Sequence, residues 1–290
     1  MAKSKHRRTS FRELNEPTDP KKPIPKSASA RPIRWDLIAL FLLISIGGSY
    51  LVMALRKPMA PQFTYKVLKS YPHDPDAFTQ GLMMHDGFLW ESTGKKGKSS
   101  FRKIDLETGQ LLQNVIVDDQ YFAEGLAFLN DQFFQLTWQD EVCFVYDKSM
   151  KKVREFPYEG EGWGLTTDGV DLIMSDGSSA LRFMDPETFK EKRRINVRVN
   201  GMRAGVLNEL EYVGGKVFAN VWMRDVIYEI DPQTGNVDRQ IDLSGLWPVA
   251  ERPEEGVLNG IAFNPKSKKL LVTGKLALKI WEIDVVPVKK

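Results

Sequence analysis

The chain has 290 residues, with 41 Lys and Arg against 38 Asp and Glu, one cysteine and three histidines. A single cysteine excludes a disulfide within the chain, and His6, His73 and His85 lack the number and spacing for a histidine-ligated zinc site or a Ser-His-Asp triad. Twelve of the bases but only four of the acids lie in residues 1–57, so residues 58–290 hold 29 bases against 34 acids, and the basic pI gives no support to a nucleic-acid surface.

Residues 1–36 are polar and basic, interrupted by Pro17, Pro20, Pro23, Pro25 and Pro32, and show no hydrophobic period. They read as a disordered tail. Leu37–Leu55 follows without a charge, nineteen residues that as a helix would cover roughly 28 Å, close to the hydrocarbon thickness of a bilayer. Trp35 and Tyr50 suit its two interfaces. A cleaved signal peptide would have a shorter apolar core and a small-x-small site after it, so the stretch is predicted to be an uncleaved transmembrane signal-anchor. Residues 1–34 carry ten Lys and Arg against three acids, which keeps the tail in the cytoplasm and delivers the remainder to the outer, periplasmic or lumenal, side.

Residues 60–286 form one predicted domain without a linker. Phe63–Tyr71 reads as a first strand, expected to complete the last sheet of a closed ring. From there one unit recurs: Gln80-Gly81-Leu82, Glu124-Gly125-Leu126, Trp163-Gly164-Leu165, Asn208-Glu209-Leu210 and Asn259-Gly260-Ile261, read as x-Gly-Leu turns. The leading residues are 44, 39, 45 and 51 positions apart, the repeat length of a four-stranded propeller blade. Each is followed 13 or 14 residues later by a strand end: Thr93, Trp138, Asp176, Trp222 and Thr273. A third register is a hairpin turn of the Asp-x-x-Thr type at Asp105, Asp185 and Asp231, with Asp147-Lys148 in the same place. Within the second unit, Tyr121–Trp138 reads as a β-hairpin, turning at Asn130-Asp131. No helix-period stretch of useful length follows residue 57. The expected fold is all-β, a five-bladed β-propeller preceded by a single N-terminal transmembrane helix.

Equivalent positions of a propeller lie on circles, which predicts one ring of Gln80, Glu124, Trp163, Asn208 and Asn259. A second ring holds Thr93, Trp138, Asp176, Trp222 and, two residues past its register, Lys275. A purely structural position would repeat one residue type. These rings vary and, with Asp176 set aside as a turn residue, combine a lone carboxylate, a lone ammonium, amides and three indoles, as a small polar ligand with an apolar stem would require. Taken singly, Glu124 reads as a solvated carboxylate, Lys275 as a surface lysine and the indoles as packing; their shared registration favours a site. Trp90, Trp247 and Trp281 fall outside the register and read as packing or rim residues, and Asp176 can be an Asp-Gly turn residue alone.

The segments FTQGL (Phe78–Leu82), LWESTG, YFAEGL, LTW, EGWGLTTDG, LIMSDGS, LNELEYV, NVW, LNGIAF and VTGK (Val272–Lys275), in this order, resemble the plant- and bacterial-type glutaminyl-peptide cyclotransferases over essentially all of residues 60–286. The resemblance implies a five-bladed propeller that converts the N-terminal glutamine of peptides and proteins to pyroglutamate with release of ammonia, an acyl-transfer reaction unrelated to that of the zinc-dependent animal enzymes. It implies Glu124 as general acid/base, and Lys275 and Asn208 as donors to the tetrahedral oxyanion. Trp138, Trp163 and Trp222 would be pocket walls, with Phe78, Gln80 and Asn259 completing substrate binding. No cofactor, no metal and a monomer are expected. One departure stands out: where the family continues its lysine motif with x-Trp-Pro-Lys, this chain reads Leu276-Ala277-Leu278-Lys279, which bears on the pocket rim. Two other readings stay open. One is a periplasmic propeller that binds a peptide or sugar without turnover. The other is a lactonase-type site with calcium held by Glu124, Asp176, Asn208 and Asn259, disfavoured by its two acids and neighbouring lysine.

Overall fold

A computed structural model of the chain describes residue 60 and residues 62–288. The expected basic tail (1–36) and signal-anchor (37–55) lie outside the described residues. Among the described residues no helix is long and apolar enough to cross a membrane. The fold is all-β.

β1 (Gln62–Pro72) comes first and pairs late. β2 (Thr79–His85), β3 (Phe88–Thr93), β4 (Ser100–Ile104) and β5 (Leu111–Ile116) form one four-stranded antiparallel sheet in chain order. β6 (Ala123–Leu129), β7 (Gln132–Thr137), β8 (Val142–Tyr146) and β9 (Lys152–Pro157) form the second. β10 (Leu165–Thr167), β11 (Leu172–Ser175), β12 (Ala180–Met184) and β13 (Glu191–Asn196) form the third. A small ribbon, β14 (Arg198–Val199) with β15 (Met202–Arg203), precedes β16 (Leu207–Val213), β17 (Lys216–Val221), β18 (Val226–Ile230) and β19 (Val237–Asp242). Finally β20 (Leu258–Asn264), β21 (Lys269–Gly274) and β22 (Lys279–Pro287) take β1 as their fourth strand, antiparallel to β22. The N-terminal strand thus completes the last sheet, as expected. A short parallel pairing, Gln62 with Gln240 and Phe63 with Ile241, links it to β19.

Local chemistry sets these hairpins. Asn130 and Asp131 both adopt positive φ, 51° and 61°, the conformation a two-residue hairpin loop requires and these side chains tolerate. At Asp105, Asp185 and Asp231 the carboxylate accepts the backbone N–H and hydroxyl of the Thr three residues on, fixing the turn to the outermost strand.

The recurring x-Gly-Leu units are not turns. In the first, second, fourth and fifth sheets they lie inside β2, β6, β16 and β20, where the ladder to the next strand shifts register at that point. Such a bulge inserts an extra residue and re-aims the side chain beside it. The glycine answers to neighbouring backbone: a Cβ on Gly125 would come within 2.3 Å of Leu165 N, and one on Gly164 within 2.1 Å of Asn208 O. First strands therefore crowd one another in a closed cycle, β2 to β6, β6 to β10, β10 to β16, β16 to β20 and β20 back to β2.

Between sheets the core is apolar. Trp90 and Phe101 of the first sheet interleave with Phe133, Phe144 and Tyr146 of the second, and all five are buried. Truncating one such ring, as in Phe133→Ala, costs about 3–5 kcal/mol. The strand ends that carry the varied ring residues converge at one mouth of this frame.

Candidate active site

A pocket of about 510 Å³, within the usual range for small-ligand sites, opens at that mouth. Glu124 sits at the β6 bulge and is buried, 4% exposed. Its Oε1 accepts a hydrogen bond from Gln80 Nε2 at 2.8 Å. The orientation of that amide is determined by a third residue. Asn259 Nδ2 donates to the Thr79 carbonyl at 2.9 Å, which can only accept, and to Gln80 Oε1 at 3.2 Å. Gln80 must therefore turn its nitrogen to Glu124, leaving Oε2 as the oxygen for a proton or a ligand. Burial pushes the Glu124 carboxyl well above the ordinary carboxylate range; Lys275 opposes the shift and Glu161 adds to it.

Lys275, at the end of β21, is 7% exposed and places its Nζ 4.7 Å from the centre of the Phe78 ring. Burial draws its pKa below the usual lysine value against the pull of Glu124 and Glu255. Lys95 Nζ lies 4.6 Å from the same ring centre. Asn208, at the β16 bulge, is 2% exposed, and its Oδ1 has no hydrogen-bond partner among the described residues.

The walls are aromatic and continuous. Phe78 meets Phe122 edge-on with centroids 6.1 Å apart, and Phe122 meets Trp138 at 5.7 Å. Trp163 meets Trp222 at 5.7 Å and 90°. The two series are joined by Glu161, whose Oε2 accepts from the indole nitrogens of Trp138 at 2.8 Å and Trp163 at 2.9 Å, while Oε1 accepts from Gln139. Burial works against the Glu161 charge, but these three donors outweigh it and hold its pKa below the usual value. Gly177, at φ 74°, leaves room for the Trp163 ring, which a Cβ there would approach to 2.6 Å.

The pocket brings together Glu124, Lys275, Asn208, Phe78, Gln80, Trp138, Trp163 and Trp222, all predicted from the sequence. Asn259 is fully buried and stands behind Gln80 instead of lining the pocket. Asp176 caps its own turn, accepting from Ser178, and does not meet Glu124. Trp90 is core, and Trp247 and Trp281 pack on each other. Among the described residues no three His, Cys, Asp or Glu side chains converge as a metal-binding group.

Phe122, Met223, Glu254, Glu255 and Val257 also line the pocket, and sequence reasoning missed them together with Glu161. Phe122 directly precedes the Ala123-Glu124 pair, so strand alternation could have found it. Glu254 and Glu255 arrive on the long irregular connection from β19 to β20, which has no counterpart in the repeat. Ala277 is fully buried, and Leu278 beside it is 66% exposed.

The family model described as glutamine cyclotransferase matches residues 41–285. The chain is 45% identical over 227 residues to an Arabidopsis thaliana protein named glutaminyl-peptide cyclotransferase, covering 76% of this chain and 71% of that protein. It also resembles the crystal structure of Myxococcus xanthus glutaminyl cyclase with a TM-score of 0.74 and 35% identity, over 79% of this chain and 99% of the other.

Proposed function

We propose, because the chain belongs to the glutamine cyclotransferase family, that it converts the N-terminal glutamine of peptides and proteins to pyroglutamate with release of ammonia. The observation that carries this reading is Glu124, a buried carboxyl that among the described residues is hydrogen-bonded on one oxygen only, inside an aromatic pocket that also holds the buried ammonium of Lys275.

The substrate's α-amine attacks its own side-chain carbonyl carbon. A ring C–N bond forms and the C–N bond to the leaving nitrogen breaks. The attacking nitrogen loses one proton and the leaving nitrogen gains one. Glu124, held neutral by burial, gives its proton to the leaving nitrogen and takes the one shed by the attacking nitrogen, ending as it began. The step is intramolecular, so much of the acceleration comes from holding the flexible side chain folded between Phe78, Phe122 and the indoles. Lys275 and the Asn208 amide nitrogen face the developing oxyanion, and the unpartnered Asn208 Oδ1 accepts from a substrate N–H. This chemistry asks for no metal.

The frame that serves it is a five-bladed propeller over residues 60–286, a reading supported by five four-stranded units and the closed cycle of first strands. The uncharged Leu37–Leu55 stretch and its basic flank support a membrane-anchored enzyme with its site on the outer side.

The test is Glu124→Gln, which keeps shape and a hydrogen bond but cannot carry the proton. Ammonia release from a Gln-initiated peptide should fall by about 10²–10⁴ while the variant still melts cooperatively. Wild-type turnover in this variant would overturn the assignment.

A further inference from the structure

His73 lies outside the pocket and outside the repeat, yet it is one of the most constrained side chains in the molecule. It follows β1 directly and is 7% exposed. Its Nδ1 stands 2.7 Å from the Ala277 carbonyl and its Nε2 stands 2.9 Å from Glu91 Oε1. A carbonyl can only accept, and an ionised carboxylate can only accept. With Glu91 ionised, satisfying both at these distances takes two N–H groups, which only the imidazolium has.

Glu91 on β3 is fully buried, and its Oε1 also accepts from Thr79 Oγ1 at 2.7 Å. Among the described residues its Oε2 has no hydrogen bond, and Arg102 Nη1 on β4 stands 3.9 Å from it, itself bonded to Asp74. The groups facing His73 are thus Glu91 from β3, the Ala277 carbonyl from the β21–β22 turn and Asp74 beside it, with Arg102 beyond Glu91. Burial works against the charge on His73, but Glu91, the Ala277 carbonyl and Asp74 together hold its pKa above the usual value. His73, Arg102 and the Thr79 hydroxyl in turn hold Glu91 below its usual value against burial.

Sequestering two ions from water is costly, and an apolar pair of the same volume commonly matches or exceeds such a pair in stability. Stability alone is therefore a poor reason for it. What it joins is more telling. Ala277 is two residues past Lys275, in a turn where Leu276 holds a positive φ of 63° and donates its N–H to the Ala77 carbonyl at 2.7 Å. His73 N donates to Leu278 O at 3.1 Å, and Ala277 N to Gly274 O at 3.1 Å. On the other side, Thr79 sits between Phe78 and Gln80, both of which line the pocket.

We infer that His73 is a positioning residue: its imidazolium, clamped between Glu91 and the Ala277 carbonyl, holds the turn that carries Lys275 against the segment that carries Phe78 and Gln80 into β2. The inference rests on the proposed cyclisation, in which Lys275 meets the oxyanion. Loss of one ring proton sets a nitrogen lone pair against an oxygen, and the turn slackens. A misplacement of about 1 Å at a catalytic group costs up to about a hundredfold.

The experiment uses the full chain labelled with ¹⁵N. Ring-nitrogen resonances of His6, His73 and His85 are followed against pH, with His73→Gln assigning one of them, alongside the amide resonances of Leu276 and Ala277 and the rate of ammonia release. His73 should remain doubly protonated where His85 is already neutral. The Leu276 and Ala277 amides should move with its titration, and kcat should fall on the alkaline side with the same midpoint. Glu91→Gln should bring that midpoint down by about one unit or more, the usual effect of losing an adjacent opposite charge. His73→Gln should lower kcat about ten- to a hundredfold with little change in KM and abolish this limb.

A neutral His73 at pH 7 overturns the clamp. So does an alkaline limb that ignores both variants, which would belong to Lys275 alone. If neither variant melts cooperatively, the wild-type midpoints of His73, of the two amides and of kcat decide, and they must coincide. Failure of the cyclisation reading would show separately, as a wild type that releases no ammonia while the amides still follow His73.

Discussion

Removing the Glu161 carboxylate should separate substrate binding from chemistry. One oxygen of this residue holds two pocket indoles, Trp138 at 2.8 Å and Trp163 at 2.9 Å, and both hydrogen bonds are charge-assisted. A hydrogen bond to a charged group is worth about 1.5–3 kcal/mol net. Water can reach the half-buried indoles in part, so the lower end applies to each. Glu161→Ala should then cost up to about 3 kcal/mol of substrate binding, a rise in KM of up to about 150-fold, with kcat changed by less than about threefold. Glu161→Gln, whose amide oxygen can still accept from both indoles, should fall between wild type and Ala. A second readout comes from charge. Glu161 is one of the groups that raises the Glu124 pKa, so its removal lets that pKa fall, and the limb of the pH–rate profile that reports Glu124 should move to lower pH. Steady-state kinetics of ammonia release at several pH values checks both. A Glu161→Ala enzyme with unchanged KM and reduced kcat would refute the wall-pinning role.

Lys275→Met should lower turnover by about 10²–10³, as for a lost oxyanion donor, and raise the pH at which Glu124 ionises, because Lys275 opposes its upward shift. Asn259→Leu frees the Gln80 amide to present its oxygen towards Glu124 and should lower kcat about tenfold, equivalent to about 1.4 kcal/mol, with KM nearly unchanged. Glu209→Ala strips the acceptors from two buried backbone N–H groups, Leu82 and Ile261, at about 1–3 kcal/mol each, so urea unfolding should show a loss of about 2–6 kcal/mol. Glu211, pushed up to about 8 by burial, favours the fold in its neutral form. Its contribution is present below its unfolded value near 4.5 and is lost as pH rises towards 8, and Glu211→Gln should flatten that slope in the unfolding midpoint.

Much of the frame was legible because each sheet repeats the same local physics. Asn130-Asp131 announces a tight hairpin and occupies the required positive φ, and the Asp-x-x-Thr turns bond as their composition suggests. The x-Gly-Leu units misled because glycine reads as a turn, whereas its role is to admit the backbone of the next first strand. Registration found Glu124, Asn208 and Lys275, since strand ends of a closed ring must converge. The same logic put Asn259 in the pocket, but its amide is taken up by the Thr79 carbonyl and Gln80 Oε1, and Asn259 became the residue that orients Gln80. Glu161, Glu254 and Glu255 were illegible for a different reason. They sit in irregular segments between sheets, where no period links residue number to position. His73 was passed over because its partners, Glu91 and Ala277, are 18 and 204 residues away and only the fold brings them together.

The one break in the glycine series shows how frame and site depend on each other. In the fourth unit Glu209 stands where Gly81, Gly125, Gly164 and Gly260 stand in the others. Where glycine is required a Cβ would meet neighbouring backbone or side chain at once, yet Glu209 is accommodated fully buried. Its two oxygens accept the N–H of Leu82 on β2 at 3.1 Å and of Ile261 on β20 at 2.7 Å. These are the first strands of the first and last sheets, which adjoin where the cycle of strands closes. They are also the strands that carry Gln80 and Asn259. The buried carboxyl group thus fixes the spacing across which Asn259 reaches Gln80, and through Gln80 the oxygen of Glu124 that is left for the substrate. A glycine at this position would leave both N–H groups unpaired at the seam and let the relay between the two strands open. The repeat is broken at the unit from which one side chain can reach both strands of the seam.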